Sequence, residues 1–573
     1  MFKVVFVGSF TALLIILSFP PFKSSYLAWI SLVPFFSVVR RETVPRALLS
    51  ACVMGVTLFS SLLFWIINDS WLVYLTSIGV GTLCWLICIL GIRCLECRVP
   101  RFLKILLLPS LWTSLEWLVN QYPINLPLSL GLTQVHQHNV LQISSITGVY
   151  GISFLLILSN SVIALVVDSA TASGPVTNPL KNVKLGINHW LALVVGMVFL
   201  ETVLIGLVLN PQASLPHPAP RNHLKVAIIQ GNIPNSMQRS IENASPEFEN
   251  INEETFFSLS FSAIKARPDI IVWPETAVGK HMLRLQDSRN RLYRLVRESR
   301  SYLILGSPDR DEYGHQYNSA FIISPQGKLL GRHDKVYLAP SEGDFATASK
   351  LQPIRTPIGI FGINICYEST LPQVARSLVN QGASLLFILT NDAGFKKSPA
   401  PYLHANEAIL RAVENRTYVI HAANTGISQV IDPYGKILTM SSLDRREVLY
   451  ATVSTQHPIS IYSRVGDLFS YFCLGMLTIC LLVSIFRRSD RHTTGFARMV
   501  RPQNQINPKD GFLQHWLLKL IASVSFVALC IFILVVISLV KVGYDNTSEK
   551  HRSFSMQQSI RFVSDYFHDP EIE

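Results

Sequence analysis

The sequence predicts a multi-pass α-helical membrane protein that carries one inserted, water-facing α/β domain. Three observations point there. Apolar stretches long enough to cross a bilayer fill the first 210 residues and recur after Leu468. Between them the composition is that of a soluble protein, and from Leu224 short apolar strands alternate with amphipathic helices. Taken whole, the 573 residues are 49% hydrophobic and 15% charged, more apolar than an ordinary globular chain.

The candidate spans lie near 4–20, 25–39, 47–67, 71–92, 102–119, 149–167, 190–209, 467–486 and 516–540, about nine helices. The first is too long for a removable signal peptide and lacks its cleavage pattern, so it reads as a membrane helix. The chain then divides into a membrane region at 1–210 with about seven helices, a proline-rich linker at 211–223 and the α/β domain at 224–456. A membrane helix at 464–486, a basic loop at 487–515, an additional membrane helix at 516–541 and a tail at 542–573 follow. A second short linker, rich in Pro, Gly and Ser, lies at 174–179.

Basic residues orient the helices. Arg40, Arg41 and Arg46 share one loop, Arg93, Arg98 and Arg101 a second, Lys181 and Lys184 a third, and Arg487, Arg488, Arg491, Arg498 and Arg501 a fourth. With the N-terminus in the cytoplasm all four loops fall inside, while the stretches 68–70 and 120–148, which hold no lysine or arginine, fall outside. The α/β domain then faces out. These loops account for much of the net charge of +12, so nucleic-acid binding is not expected.

Eight of the nine cysteines lie in or beside the predicted helices, where they serve as small apolar side chains. Cys94 and Cys97 form a CxxC without a second pair, and His136 and His138 an H-x-H without a third ligand, so no metal is expected. Glu116 and Glu201 are intramembrane carboxylates, which are either functional or paired. The 120–148 loop, with Pro123 and Pro127, is expected at the bilayer surface, where it can help admit a lipid.

Inside the α/β domain, a strand at 226–229 ends in Gln230-Gly231-Asn232, a helix follows at 248–266, and a strand at 270–273 ends in Pro274-Glu275-Thr276. Then come a helix at 284–298, a strand at 302–305 and a hairpin turning at Pro325-Gln326-Gly327. After the strand that closes at Cys366 come a strand at 385–389, a helix at 402–415, a strand at 419–422 and a hairpin through Asp432-Pro433-Tyr434-Gly435. Strands, helices and intermixed hairpins indicate a layered domain with a mixed sheet.

The stretch around Cys366 carries the chemistry. Ile358-Gly-Ile-Phe-Gly-Ile-Asn-Ile-Cys366 alternates like a strand, and Ser369-Thr370 before Leu371-Pro372 reads as a helix start. A thiol at such a corner stands clear of the sheet near helix-terminal amides that favour an anion. A buried structural cysteine is the alternative from this strand alone. Glu275 ends another strand and Lys335 lies just past the hairpin, in Gly-Arg-His-Asp-Lys; carboxyl ends of strands are where an α/β sheet collects its site, although either residue taken singly also reads as a solvated or ion-paired surface group. The set suits acyl transfer: Glu275 as base, Lys335 as oxyanion partner, Cys366 as nucleophile, since a thiol of pKa ~8.5 is mostly protonated at neutral pH.

The order Glu, Lys, Cys and its surroundings resemble the nitrilase superfamily, through Trp273-Pro274-Glu275, Lys335 and Cys366-Tyr367-Glu368, with Gln230-Gly231-Asn232-Ile233-Pro234, Asn318-Ser319-Ala320 and Asn391-Asp392-Ala393. With the membrane helices, and with Phe19-Pro20-Pro21-Phe22, Glu116-Trp117-Leu118 and Gly148-Val149-Tyr150-Gly151-Ile152-Ser153-Phe154, residues 1–486 resemble the bacterial apolipoprotein N-acyltransferases. That resemblance implies a nitrilase-like αββα sandwich, a catalytic triad Glu275, Lys335 and Cys366, and supporting roles for Asn318, Glu342, Tyr367 and Glu368. It implies a ping-pong reaction in which Cys366 takes a fatty acyl chain from a phospholipid, typically phosphatidylethanolamine, and passes it to the α-amine of the diacylglyceryl-cysteine of an apolipoprotein. It places a monomer in the bacterial inner membrane with the catalytic domain toward the periplasm, needing no cofactor.

The chain departs from the family pattern in places. Gly394 stands where a tryptophan usually follows Asn-Asp-Ala, and Arg239 lies near the place of another expected tryptophan. Glu342 follows Lys335 one residue early, in Pro340-Ser341-Glu342-Gly343. Two rival readings stay open: a membrane-tethered amidase or hydrolase, and an inactive relative that binds lipid or lipoprotein.

Overall fold

The computed structural model describes residues 1–22, 24–68, 70–95, 101–172, 223–233, 246–278, 281–455 and 459–486. The expected span at 190–209 with Glu201, both linkers, Arg98, Cys97, Arg239, and the basic loop, additional helix and tail from 487 onward lie outside the described residues.

Eight helices precede the α/β domain among the described residues: α1 Phe2–Ser18, α2 Val33–Arg41, α3 Val44–Leu63, α4 Trp71–Leu95, α5 Arg101–Val119, α6 His138–Leu141, α7 Ser144–Thr147 and α8 Val149–Ala172. Three described stretches, Val44–Asn68, Trp71–Leu95 and Val149–Asp168, are long and apolar enough to cross a membrane, and Phe2–Ser18, Ile105–Val119 and Leu468–Leu482 are shorter apolar helices. The expected second span is broken into a 3-10 helix, Ser25–Trp29, and the nine-residue α2, which reaches only about 14 Å. A break inside an apolar layer frees backbone groups. Asn160 of α8 meets them, donating to the Ala28 carbonyl at 2.8 Å and accepting from the Leu32 N–H at 2.7 Å.

Glu116 is a paired structural acid. It accepts from Trp112 Nε1 (2.9 Å), the Leu130 N–H (3.0 Å) and Ser153 Oγ (2.6 Å), so one carboxylate ties α5, the following loop and α8 together. That loop packs between the helices and the α/β domain. Its leucines at 128, 130, 132 and 141 are buried, and it clamps the α/β domain through Gln142, which donates to the Tyr434 carbonyl (2.9 Å) and accepts from Arg416 (2.6 Å). Apolar residues that can bury between two layers gain more there than in a headgroup region.

At its start, α8 donates the Val149 N–H to Glu414 of the α/β domain (3.0 Å). Asp168, about 28 Å along that helix, pairs with Arg41 (2.8 Å) and Arg40 (3.7 Å), and Arg93 donates to the Val39 and Glu42 carbonyls. The described basic ends of α2 and α4 therefore gather at the end of the helices remote from the α/β domain.

The α/β domain holds twelve described strands: β1 His223–Gln230, β2 Ile270–Val272, β3 Tyr302–Arg310, β4 Gln316–Ile323, β5 Leu329–Asp334, β6 Ile354–Thr356, β7 Gly359–Ile365, β8 Leu385–Thr390, β9 Tyr418–Ala423, β10 Gln429–Ile431, β11 Ile437–Met440 and β12 Glu447–Ser454. They form the two sheets that the expected αββα sandwich requires, each six-stranded and mixed, in orders β12-β1-β2-β3-β4-β5 and β11-β10-β9-β8-β7-β6. Each has three parallel strands at its centre, β1-β2-β3 and β7-β8-β9, flanked by antiparallel strands. Period-two alternation gives each sheet one face for the interior and one for the helices. Val226, Ile228, Ile270 and Val272 face Ile363, Ile365, Phe387 and Leu389 across the interior, while Ala227, Ile229, Ile271 and Leu303 face outward onto the helices Pro246–Ala263 and Gln286–Ser299. The helices Pro372–Asn380 and Ala400–Asn415 cover the second sheet, completing an αββα sandwich.

Candidate active site

Glu275 follows β2, where fully buried Trp273 anchors the chain and donates its indole N–H to Ser260 at 2.8 Å. A tight approach of β3 shapes this corner. A Cβ at Gly306 would stand 2.5 Å from the Pro274 carbonyl and 2.7 Å from Glu275 Cα, so only glycine fits. Lys335 follows β5, and Cys366 follows β7 with a φ of +49°, a left-handed conformation that a side chain adopts under constraint. The expected helix start at Ser369-Thr370 is instead a 3-10 turn, Cys366–Thr370, and the α-helix begins at Pro372. Glu368 reaches back to the Ile365 N–H (2.8 Å) and keeps that turn tight.

The two sheets bring these strand ends together. Lys335 Nζ lies 3.3 Å from Glu275 Oε1 and 2.8 Å from each carboxylate oxygen of Glu342. Asn318 Nδ2 donates to Glu275 Oε1 (2.8 Å) and to Glu342 Oε1 (2.9 Å), and the second Glu275 oxygen accepts from the Asn391 N–H (3.0 Å). Glu342, one residue early in sequence, reaches Lys335 because its turn closes on itself, with the Ala339 N–H donating to Glu342 Oε2 (2.7 Å).

Electrostatics follow from this packing. Burial pushes the Glu275 carboxyl above the ordinary range, and Lys335 opposes that push. Burial alone would lower the Lys335 ammonium, but Glu342 and Glu275 outweigh it and hold the ammonium firmly protonated. Cys366 is only partly exposed, and burial, reinforced by the Glu275 charge against the pull of Lys335, pushes its thiol well above the usual value.

Tyr367 lines the site, and burial lifts its phenol to about 12. Its carbonyl accepts from Thr370 Oγ1 (2.8 Å), which accepts in turn from Asn125 of the membrane region (2.7 Å). Glu368 points away from the site and braces it. Its carboxylate accepts from the Val336 N–H (2.8 Å), the Tyr337 N–H (3.3 Å) and the Ile365 N–H (2.8 Å), and lies 3.1 Å from His333 Nε2. The residue after Lys335 and the residue before Cys366 thus share one anchor.

Sequence reading missed several neighbours. His404 Nε2 lies 2.8 Å from Ser369 Oγ and 3.3 Å from the Cys366 carbonyl, while its Nδ1 lies 3.0 Å from Asp392. Asp392 stood inside a motif already noted, yet nothing local tied it to a histidine twelve residues on.

Glu275, Lys335 and Cys366 open into one cavity of about 350 Å³. Its far wall comes from the membrane region: Trp65, Val73 and Ser77 at the α3–α4 corner, and Ile124, Leu126 and Pro127 of the loop after α5. Trp65 packs edge-on against Phe395, ring centroids 4.6 Å apart, next to Gly394. An aromatic pair from two layers thus borders the place where sequence left a glycine.

Comparison with known proteins agrees with this two-part construction. A family model described as apolipoprotein N-acyltransferase N-terminal domain matches residues 11–162, and one described as carbon-nitrogen hydrolase matches residues 225–458. The apolipoprotein N-acyltransferase of Geobacter metallireducens is 31% identical over 525 residues, covering 84% of this chain and 95% of that protein. That of Nostoc sp. is 28% identical over 528 residues, covering 84% and 100%. Among solved structures, an amidase from Nesterenkonia sp. is similar with a TM-score of 0.36 and 18% identity over 45% of this chain and 100% of its own. Helical region and α/β domain match together, in order and over nearly the whole of a relative at that identity: the chain belongs to the apolipoprotein N-acyltransferase family.

Proposed function

We propose that Cys366 is the acyl carrier of this family's reaction, with Glu275 as the proton acceptor and Lys335 as the oxyanion partner. One observation supports this most: the cavity that holds the three residues is walled on its other side by apolar residues of the membrane region. A site so placed can take an acyl chain from a lipid, whereas a hydrolase of soluble amides has no use for that wall.

The thiol is protonated at rest, so attack and proton transfer are coupled. Glu275 takes the Sγ proton as Sγ attacks the acyl ester carbonyl of a phospholipid, and the tetrahedral oxygen accepts a hydrogen bond from Lys335 Nζ. Collapse expels the lysophospholipid alkoxide, which takes the proton back from Glu275 and leaves a thioester on Cys366. The α-amine of a diacylglyceryl-cysteine then attacks, Glu275 accepts the amine proton, and the departing thiolate recovers it, giving the amide and free enzyme. Glu342 and Asn318 hold Lys335 and Glu275 in register, and Glu368 and Tyr367 support the Cys366 turn.

Phosphatidylethanolamine is the proposed donor. The basic cluster at the helix ends remote from the α/β domain supports an inner-membrane protein with its catalytic domain toward the periplasm. One chain supplies every group of the site, which supports action as a monomer.

The test is the intact mass of protein purified from membranes, beside Cys366→Ser, before and after neutral hydroxylamine. The expected result is a fatty-acyl increment that hydroxylamine removes and that the serine variant lacks as a labile adduct. No adduct after incubation with phosphatidylethanolamine would refute the acyl-carrier role.

A further inference from the structure

The helix Ala400–Asn415 is buried along almost its whole length, yet it carries three charged residues that the proposed mechanism does not use: Glu407, Arg411 and Glu414. Arg411 Nη2 lies 3.2 Å from Glu407 Oε2 and 3.1 Å from Glu414 Oε2. One guanidinium therefore faces two buried carboxylates. Glu414 spends its other oxygen on the Val149 N–H (3.0 Å), but Glu407 Oε1 makes no hydrogen bond among the described residues. Glu407 also lines the cavity that contains Cys366.

A buried carboxylate that shares its one guanidinium with a second carboxylate is only partly compensated, and is relieved further by a proton or by a cation. Burial lifts Glu407 to about 7 against the pull of Arg411, which accords with a group waiting for a positive charge. Its place on the helix sets the distance to the chemistry. His404, which lies 3.3 Å from the Cys366 carbonyl, precedes Glu407 by three residues, so the two Cβ atoms are roughly 5–6 Å apart on one helix face.

We propose that Glu407 forms a subsite for a primary alkylammonium group, held beside Cys366. The proposal rests on the acyl-transfer reading for its biological source, because both substrates of that reaction can carry such a group: the ethanolamine headgroup of the donor and the α-amine of the acceptor. The binding itself is tested without turnover. Dodecylammonium should protect Cys366 of the full-length protein from alkylation better than dodecanol does. In Glu407→Gln, which can still accept from Arg411, that advantage should fall by at least about tenfold, as expected for a lost charge-assisted contact, and Glu407→Asp should retain part of it. Equal protection of wild type and Glu407→Gln overturns the proposal, as does a parallel loss of protection by amine and alcohol.

Lipid substrates then separate the sources. Loss of a preference for phosphatidylethanolamine over phosphatidylglycerol in thioester formation by Glu407→Gln assigns the subsite to the donor headgroup. A raised KM for a diacylated lipopeptide, with donor preference unchanged, assigns it to the acceptor amine. Absence of any thioester in wild type would refute the acyl-transfer reading while leaving the protection result to decide the subsite.

Discussion

Glu368→Gln is the substitution that most sharply tests how the site is held. The carboxylate is fully buried and serves three backbone N–H groups and His333 with two oxygens. A glutamine keeps one oxygen and replaces the other with a donor. If its oxygen stays on Val336 and Tyr337, the amide faces the Ile365 N–H; if it flips, it faces the other two. His333 can change tautomer to suit, but a backbone N–H cannot, so at least one buried donor is orphaned at about 1–3 kcal/mol. Loss of charge assistance at the remaining bonds brings the expected cost to about 2–4 kcal/mol. At 2–4 °C per kcal/mol, typical of domains of 150–250 residues, the melting temperature should fall by roughly 5–15 °C.

Protonation decides where the comparison is made. Burial would raise the Glu368 carboxyl, but His333 and the backbone donors outweigh it and hold it below the ordinary range. Its stabilisation is therefore complete above about pH 4.3 and is lost as pH falls through the lower folded value, so pH 7 shows the full difference. The assay is thermal melting in detergent together with the rate of thioester formation at Cys366, which should drop because Lys335 and Cys366 lose their common anchor. A melting temperature within about 1 °C of wild type, with an unchanged rate, would refute the bracing argument.

Two further outcomes follow from the same geometry. Because Glu275 must be ionised to accept the thiol proton and its carboxyl is raised by burial, the acid limb of the thioester-forming rate should lie above the ordinary glutamate value of about 4.3, and a limb at or below that value in a pH–rate profile contradicts the role of Glu275 as base. Asn160→Leu leaves the Leu32 N–H without a partner and the Ala28 carbonyl with only the long Ser31 Oγ contact (3.5 Å), and should cost roughly 1–3 kcal/mol, read as a lower melting temperature in lipid nanodiscs; an unchanged melt means that the broken second segment satisfies itself.

Much of the protein was legible in its sequence because the signals are local. Bilayer-length apolar runs, period-two strands such as 358–366, and turns such as Pro325-Gln326-Gly327 report on neighbours in the chain. Glu275, Lys335 and Cys366 were each weak signals alone, and became legible through their shared order and surrounding motifs. What tertiary structure alone decided is long-range. Alternation cannot say whether strands join one sheet or two, because inward-facing residues look alike in either case. Glu342 was displaced in sequence yet reaches Lys335, since a turn, rather than a residue count, sets where a carboxylate lands. Nothing in its own apolar run marks Asn160, because the break it mends lies 132 and 128 residues away in the chain. Nothing local marks Glu407 either, because a charged residue on a helix ordinarily faces water. The fold put the membrane region there instead, and with it a buried carboxylate facing the catalytic cavity.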